Sequence, residues 1–239
     1  MTDVEKYYDM TQKPWGQLFY KIVWAQLPNI KNKKILDFGS GFGITADHLA
    51  KNNAVTAIEP SSEMATKKKP KNKYTQIIGG IENFKELPND FFDVLLCHNM
   101  LEYVKNKEEY IEEFARVLKN GGVLSLVKHN EVGKIMQKIV FENDLEQVMK
   151  YFAGKNFHSE SFGEIDYYDK NDLRAWSKKY GFLQKDSCGV RMFFGLIQNN
   201  DIKFDEDWQK NIFDIEMKLC RDEPYKNVAM FEHIIVEKL

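Results

Sequence analysis

The sequence predicts an α/β fold of the doubly wound kind: a mostly parallel, seven-stranded, Rossmann-like sheet with a helical insert after the fifth strand. Three observations carry this. Short apolar runs alternate with amphipathic stretches through residues 34–127, the rhythm of strand–helix–strand units. The first run, Lys34-Ile35-Leu36-Asp37-Phe38, passes into Gly39-Ser40-Gly41-Phe42-Gly43 and then a helical stretch from Thr45, so a bare backbone bend joins strand to helix. The second run, Ala54-Val55-Thr56-Ala57-Ile58, ends on Glu59-Pro60. Glu59 stands 20 residues past Gly39, the spacing at which a carboxylate meets a ribose diol.

Taken in order, residues 1–12 are polar and aromatic with no clear period. Pro14–Leu27 is predicted helical, with Leu18, Ile22, Val23 and Leu27 on one face. After Glu59-Pro60, Ser61 or Ser62 caps a helix through Ala65 and Lys68. Tyr74–Ile78 is a third strand closed by Gly79-Gly80, and Phe91–His98 a fourth, fully buried one. Asn106–Leu118 is an amphipathic helix with Tyr110, Ile111, Phe114, Val117 and Leu118 inward. Asn120-Gly121-Gly122 is expected to end it, ahead of a fifth strand at Val123–Val127. From Val132 to Phe157 the pattern becomes one long helix carrying Ile135, Ile139, Leu145, Val148 and Met149. It is read as a cap insert, residues 132–168, covering the crevice outside the strand ends. A helix over Lys170–Tyr180 stops at Gly181; a strand within Phe182–Phe194, a helix over Phe204–Cys220 and a closing strand over Val228–Val236 follow. No repeat or linker interrupts this, so residues 1–239 are expected to be a single domain with the insert inside it.

With 34 basic against 36 acidic residues the formal charge is −2, which gives no global pull toward nucleic acid. Lys67-Lys68-Lys69-Pro70-Lys71-Asn72-Lys73 is the local basic candidate, although such a run is more often a solvated loop. Cys97, Cys188 and Cys220 fit no zinc spacing, so buried thiols and no metal are expected. No apolar run reaches membrane-spanning length and the first residues are too charged for a secretory signal, so no membrane partner and a cytoplasmic location are expected.

The glycine bend is not a G-x-G-x-x-G fingerprint, because Ile44 stands where the third glycine belongs. It is not a P-loop either, since no Lys-Ser or Lys-Thr follows. Asp37-x-Gly39-x-Gly41-x-Gly43 after a strand resembles motif I of the class I S-adenosylmethionine (SAM) methyltransferases. The resemblance implies a methyltransferase sheet and SAM as cofactor, with S-adenosylhomocysteine as product. It puts Asp37, Gly39, Ser40, Gly41, Phe42 (through its backbone) and Gly43 at the cofactor's amino-acid end. Glu59-Pro60 is expected at the ribose, a carboxylate there accepting two hydroxyls side by side, and Ile81-Glu82 at the adenine. His98 resembles the residue that touches the cofactor near the sulfonium; otherwise it is a satisfied core histidine.

Phe91–Val104, Leu118–Leu126 followed by His129-Asn130, Gly189-Val190-Arg191-Met192-Phe193, Glu216–Tyr225 and Gly16-Gln17-Leu18 resemble the bacterial tRNA 5-carboxymethoxyuridine methyltransferases over nearly the whole chain. That implies methyl transfer to the carboxylate of a modified wobble uridine in tRNA. One departure is Phe19, where that family has an arginine that helps hold the cofactor carboxylate; Lys13, Lys21 and Arg191 are candidates to replace it. A carboxylate acceptor is ionised at neutral pH and needs no general base, so catalysis rests on positioning and exclusion of water. Arg191 is the residue expected to orient the acceptor, gripping it bidentately; its plain alternative is an ordinary ion pair. His129 would serve as base for a hydroxyl or amine acceptor and otherwise shapes the site. Tyr167, Tyr168, Phe193 and Phe194 are candidates to stack on an extruded base. The rival functions are an O- or N-methyltransferase for a small metabolite and a catalytically silent SAM-binding protein.

Overall fold

The computed structural model describes residues 2–159 and 163–239. Its helices are α1 (Asp3–Gln12), α2 (Pro14–Gln26), α3 (Ile44–Leu49), α4 (Ser62–Thr66), α5 (Lys107–Val117), α6 (Glu131–Val140), α7 (Leu145–Phe152), α8 (Lys170–Tyr180), α9 (Glu206–Leu219) and α10 (Glu223–Lys226). Its strands are β1 (Lys34–Phe38), β2 (Ala54–Glu59), β3 (Thr75–Ile78), β4 (Phe92–His98), β5 (Leu118–His129), the short pair β6 (His158–Ser159) and β7 (Gly163–Glu164), β8 (Phe182–Val190) and β9 (Phe231–Lys238). The chain divides into two compact units, each made of three segments. The first holds the N-terminal stretch to Gln26, Lys128–Tyr167 and Ser187–His233; the second holds Leu27–Val127, Tyr168–Asp186 and Ile234–Leu239.

The second unit is built on the expected sheet, ordered β3-β2-β1-β4-β5-β9-β8, with the neighbours from β1 to β5 paired in parallel. Alternation of side chains along β1 places Leu36 and Phe38 on one face and Ile35 on the other, all fully buried. One face packs Phe38, Phe84 and Phe114 with ring centroids 5.0–5.8 Å apart, in a cluster that takes in Tyr168 and Leu173. The other packs Ile35, Ala46, Val55, Ala57, Val94 and Leu96. Each buried Val, Leu, Ile or Phe among them contributes about 1.5–3 kcal/mol by leaving water. Strand order reverses between β1 and β4, and the crevice at such a reversal lies beyond the carboxyl ends of the strands. Gly39, Gly79 and Asn99 directly follow β1, β3 and β4, and Glu59 and His98 end β2 and β4.

Several boundaries differ from the sequence reading for identifiable reasons. Residues 3–12 form α1, because Thr2 and Glu5 make a reciprocal capping box. Helix α5 ends at Val117 rather than at the glycines, since Leu118 turns extended and pairs with Phe92. The register then jumps to Val94↔Val123, so Asn120-Gly121-Gly122 sits in a bulge inside β5. The single long helix expected after Val132 is two: Asp144 caps α7 by accepting from the Gln147 amide, and Asn143 has a left-handed φ of 49°. The stretch 132–168 thus holds most of α6, then α7, β6 and β7, with residues 160–162 outside the described ones. Strand β8 stops at Val190, where Arg191 takes φ 58°, and α9 begins at Glu206 behind the Asp205 cap. The basic run 67–73 folds around a buried acid: Lys68 Nζ lies 2.8 Å from Asp47, and the Lys71 and Asn72 amides donate to its Oδ1 at 2.8 and 2.7 Å.

In the first unit α2 packs on α1 and α9, and α6 on α7. Gly16 matters here, because a Cβ on it would fall 2.5 Å from the Met10 carbonyl. Asn130 donates its side-chain amide to the carbonyls of Asn227 and Ala229, both at 2.9 Å.

Candidate functional site

The second unit brings the expected cofactor-side residues together. Gly39, Gly41 and Gly43 have φ of 72°, 56° and 66°, the left-handed region that glycine enters freely. A Cβ at Gly43 would lie 2.2 Å from Tyr74 Oη and one at Gly39 2.7 Å from Met100 Cγ, whereas one at Gly41 would meet only the Met64 methyl at 3.3 Å. A Cβ at either outer glycine would therefore clash, whereas at Gly41 it would meet only the end of a flexible side chain. Glu59, buried at the end of β2, reaches back to this loop: Oε2 accepts from the Gly41 amide at 2.8 Å and Oε1 from the Ser61 amide at 2.9 Å. Asp37 is 3% exposed. Burial first, and the charge of Glu59 second, push its carboxyl up to about 7. Burial also raises Glu59, against the two amides that favour its charged form.

Asp37 Oδ2, Ser40 Oγ, Asn83 Oδ1 and Asn99 Oδ1 are buried without a hydrogen-bond partner among the described residues. Buried polar atoms are nearly always paired, so this set fits a bound group carrying ammonium and hydroxyl donors. Phe42 is buried and offers only backbone. Ile81 packs against the core below, and Pro60 is exposed. Glu82 is exposed and folds onto its own turn, accepting from the Gly80 amide at 2.7 Å. His98 closes β4 with Nε2 2.8 Å from the hydroxyl of the fully buried Ser125. Nothing in the sequence marked Ser125, because the pairing of β4 with β5 creates the contact.

The expected acceptor-side residues lie in the first unit. Arg191 follows β8 in its left-handed turn, and the turn is held from two sides. Glu216, fully buried, accepts from the amides of Met192 at 2.7 Å, Phe193 at 2.8 Å and Phe194 at 2.9 Å. Gln26 donates to the Gly189 carbonyl at 2.9 Å and accepts from His233 Nδ1 at 2.9 Å. Glu216 is engaged by three amides and acts on Arg191 through its charge alone: no salt bridge to the guanidinium occurs among the described residues, and its buried Nε has no hydrogen-bond partner there. The guanidinium carbon instead sits 5.5 Å from the Phe194 ring centroid and 5.9 Å from that of Phe231. Burial lowers its pKa to about 10, with Glu216 opposing. Arg191 lines a cavity of about 640 Å³ together with His129, Lys134 and Lys203, and none of the described lining residues is acidic. The His129 ring lies 5.0 Å from Phe231. Phe19 packs its edge on Phe231 at 5.0 Å, and Lys13 and Lys21 are exposed. Two stacking candidates are corrected: Tyr168 is buried in the second unit's core and Phe194 is fully buried.

Residues 36–126 match a protein family described as a methyltransferase domain. Over 238 aligned residues the chain is 25% identical to the tRNA 5-carboxymethoxyuridine methyltransferase of Escherichia coli O157:H7, covering 93% of this chain and 89% of that protein. The chain carries a SAM-dependent methyltransferase domain. It is also 25% identical over 173 residues to a ubiquinone biosynthesis O-methyltransferase of Hydrogenovibrio crunogenus, covering 69% of this chain and 68% of that one. A solved SAM-dependent methyltransferase from Thermotoga maritima superposes with a TM-score of 0.64 at 19% identity, over 99% of this chain and 96% of its own, a likeness of fold. For a methyltransferase domain the donor set is apt: SAM supplies a methyl group on a sulfonium, beside an ammonium and a ribose diol that suit two buried carboxyls. Among the described residues no cluster of metal-binding side chains occurs and no helix is long and apolar enough to cross a membrane.

Proposed function

We propose that this methyltransferase transfers the methyl group of SAM to a carboxylate, that of a 5-carboxymethoxyuridine-type wobble nucleoside in tRNA. The observation that carries the reading is Arg191: a half-buried cation whose buried Nε is orphaned among the described residues, in a cavity whose described lining holds no acid. Such a group is stable when it meets an anion. A curated tRNA methyltransferase aligned over nearly the full chain supports the same choice. In this reading Asp37 takes the cofactor ammonium, Glu59 the ribose diol, and the loop Gly39–Gly43 the amino-acid end through its backbone. Ile81 lies against the adenine and Glu82 shapes its turn. Ser125 fixes the ring of His98, which touches the cofactor near the sulfonium. Arg191 pairs with the acceptor carboxylate, and His129 shapes the acceptor cavity without taking a proton.

A second reading has one observation of its own. About 640 Å³ lies within the range of sites for small molecules, so a free metabolite acid also fits the cavity. Mass spectrometry of wobble nucleosides from tRNA of cells with and without the protein separates the two. Loss of a methyl ester at the wobble uridine is expected without the protein. An unchanged pattern removes the tRNA reading.

A further inference from the structure

A second cation stands beside Arg191. Lys203 is 7% exposed, and its Nζ lies 5.0 Å from the centroid of the same Phe194 ring. The ammonium's one hydrogen bond among the described residues goes to Asn200 Oδ1 at 3.0 Å, and no carboxylate there is within ion-pair reach of it. Burial disfavours its charge first and the nearby charge of Arg191 second. A lysine stem is flexible enough to carry its ammonium into water. Here it holds the ammonium in a cavity wall against a like charge, with only an amide oxygen and an aromatic ring for company. Two cations converging on an acid-free cavity repel until an anion sits between them.

We propose that Arg191 and Lys203 together seat one carboxylate of the acceptor, and that Lys203 determines specificity by separating the acid from its methyl ester. The proposal rests on the carboxylate-acceptor reading above and deepens it. Methyl transfer turns the bound anion into a neutral ester, so the product loses its attraction to both cations at once. The same pair that recruits the substrate thus favours release of the product, and neutral acceptors of the same shape are refused.

The test uses the full chain saturated with S-adenosylhomocysteine and two anticodon stem-loop RNAs. One carries 5-carboxymethoxyuridine at the wobble position, the other its methyl ester. The wild type is expected to bind the acid form at least about tenfold more tightly, as hydrogen bonds to a charged group imply. Lys203→Met should keep its affinity for S-adenosylhomocysteine and for the ester, yet lose most of the preference; Lys203→Arg should keep it. If Lys203→Met fails to bind S-adenosylhomocysteine, Lys203→Gln takes its place. A neutral variant with the full preference, or one that weakens acid and ester equally, overturns the role of Lys203. A wild type that binds neither RNA, or binds both equally, overturns the carboxylate-acceptor reading and this proposal with it.

Discussion

Asp37 is a carboxyl held near 7 in the folded chain against about 4 when unfolded. The folded state therefore binds its proton more tightly, and this group's contribution to stability falls as pH rises from about 4 to 7. A ligand ammonium reverses the preference, so SAM binding should release a proton and tighten as pH rises through about 7. Asp37→Asn should raise the thermal midpoint at pH 8 while weakening SAM roughly 10- to 100-fold, measured by thermal unfolding and calorimetry; unchanged affinity would refute the assignment. Glu216 contributes by holding the turn after β8. Glu216→Ala strands three amides, those of Met192 and Phe194 buried and that of Phe193 half-buried, and each buried one costs about 1–3 kcal/mol when unpaired. It should lower the midpoint and raise the acceptor KM more than it changes SAM affinity. Sequence alone marked Arg191 through its Gly-Val-Arg setting. It marked Glu216 only as the start of a run with a family resemblance and not by its role, because its amide partners are 22–24 residues away, and it did not mark Lys203, whose meaning depends on a shared ring.

At the scale of elements, β1, β2 and β4 were legible because a strand buried on both faces is a nearly unbroken apolar run, and a ligand loop at its end leaves glycines behind. Helix α1 carried its own start signal in Thr2 and Glu5, overlooked because its apolar period is weak. Thr2→Ala should cost about 1 kcal/mol locally, visible as faster amide exchange across α1 with SAM affinity unchanged. The bulge in β5 was not legible, since a glycine pair after a helix reads as a helix stop whether or not a neighbouring strand recruits it. The bend from β1 to α3 permits a sharper comparison. Gly43→Ala drives a Cβ into Tyr74 and should lower both stability and SAM affinity. Gly41→Ala meets only a flexible Met64 methyl, so at the same strained φ it should cost less stability while still blocking the cofactor. Equal effects on both properties would argue against a ligand at Gly41.

Across the whole molecule, Asp37, Glu59 and His98 belong to one unit and Arg191, His129 and Lys203 to the other. The sheet unit is mostly one continuous stretch, so its order could be inferred from the sequence rhythm. The other is assembled from three distant segments, a composition no local pattern announces. The division of labour predicts separable losses: Arg191→Met should leave SAM affinity within about twofold and abolish transfer to the acid at least 100-fold. The most direct test of the cofactor assignment is calorimetry of the full chain with S-adenosylhomocysteine, for the wild type and Glu59→Ala. One-to-one binding that tightens through pH 7 and is lost in the variant is expected. No binding by the wild type, or binding untouched by removal of Glu59, would contradict it.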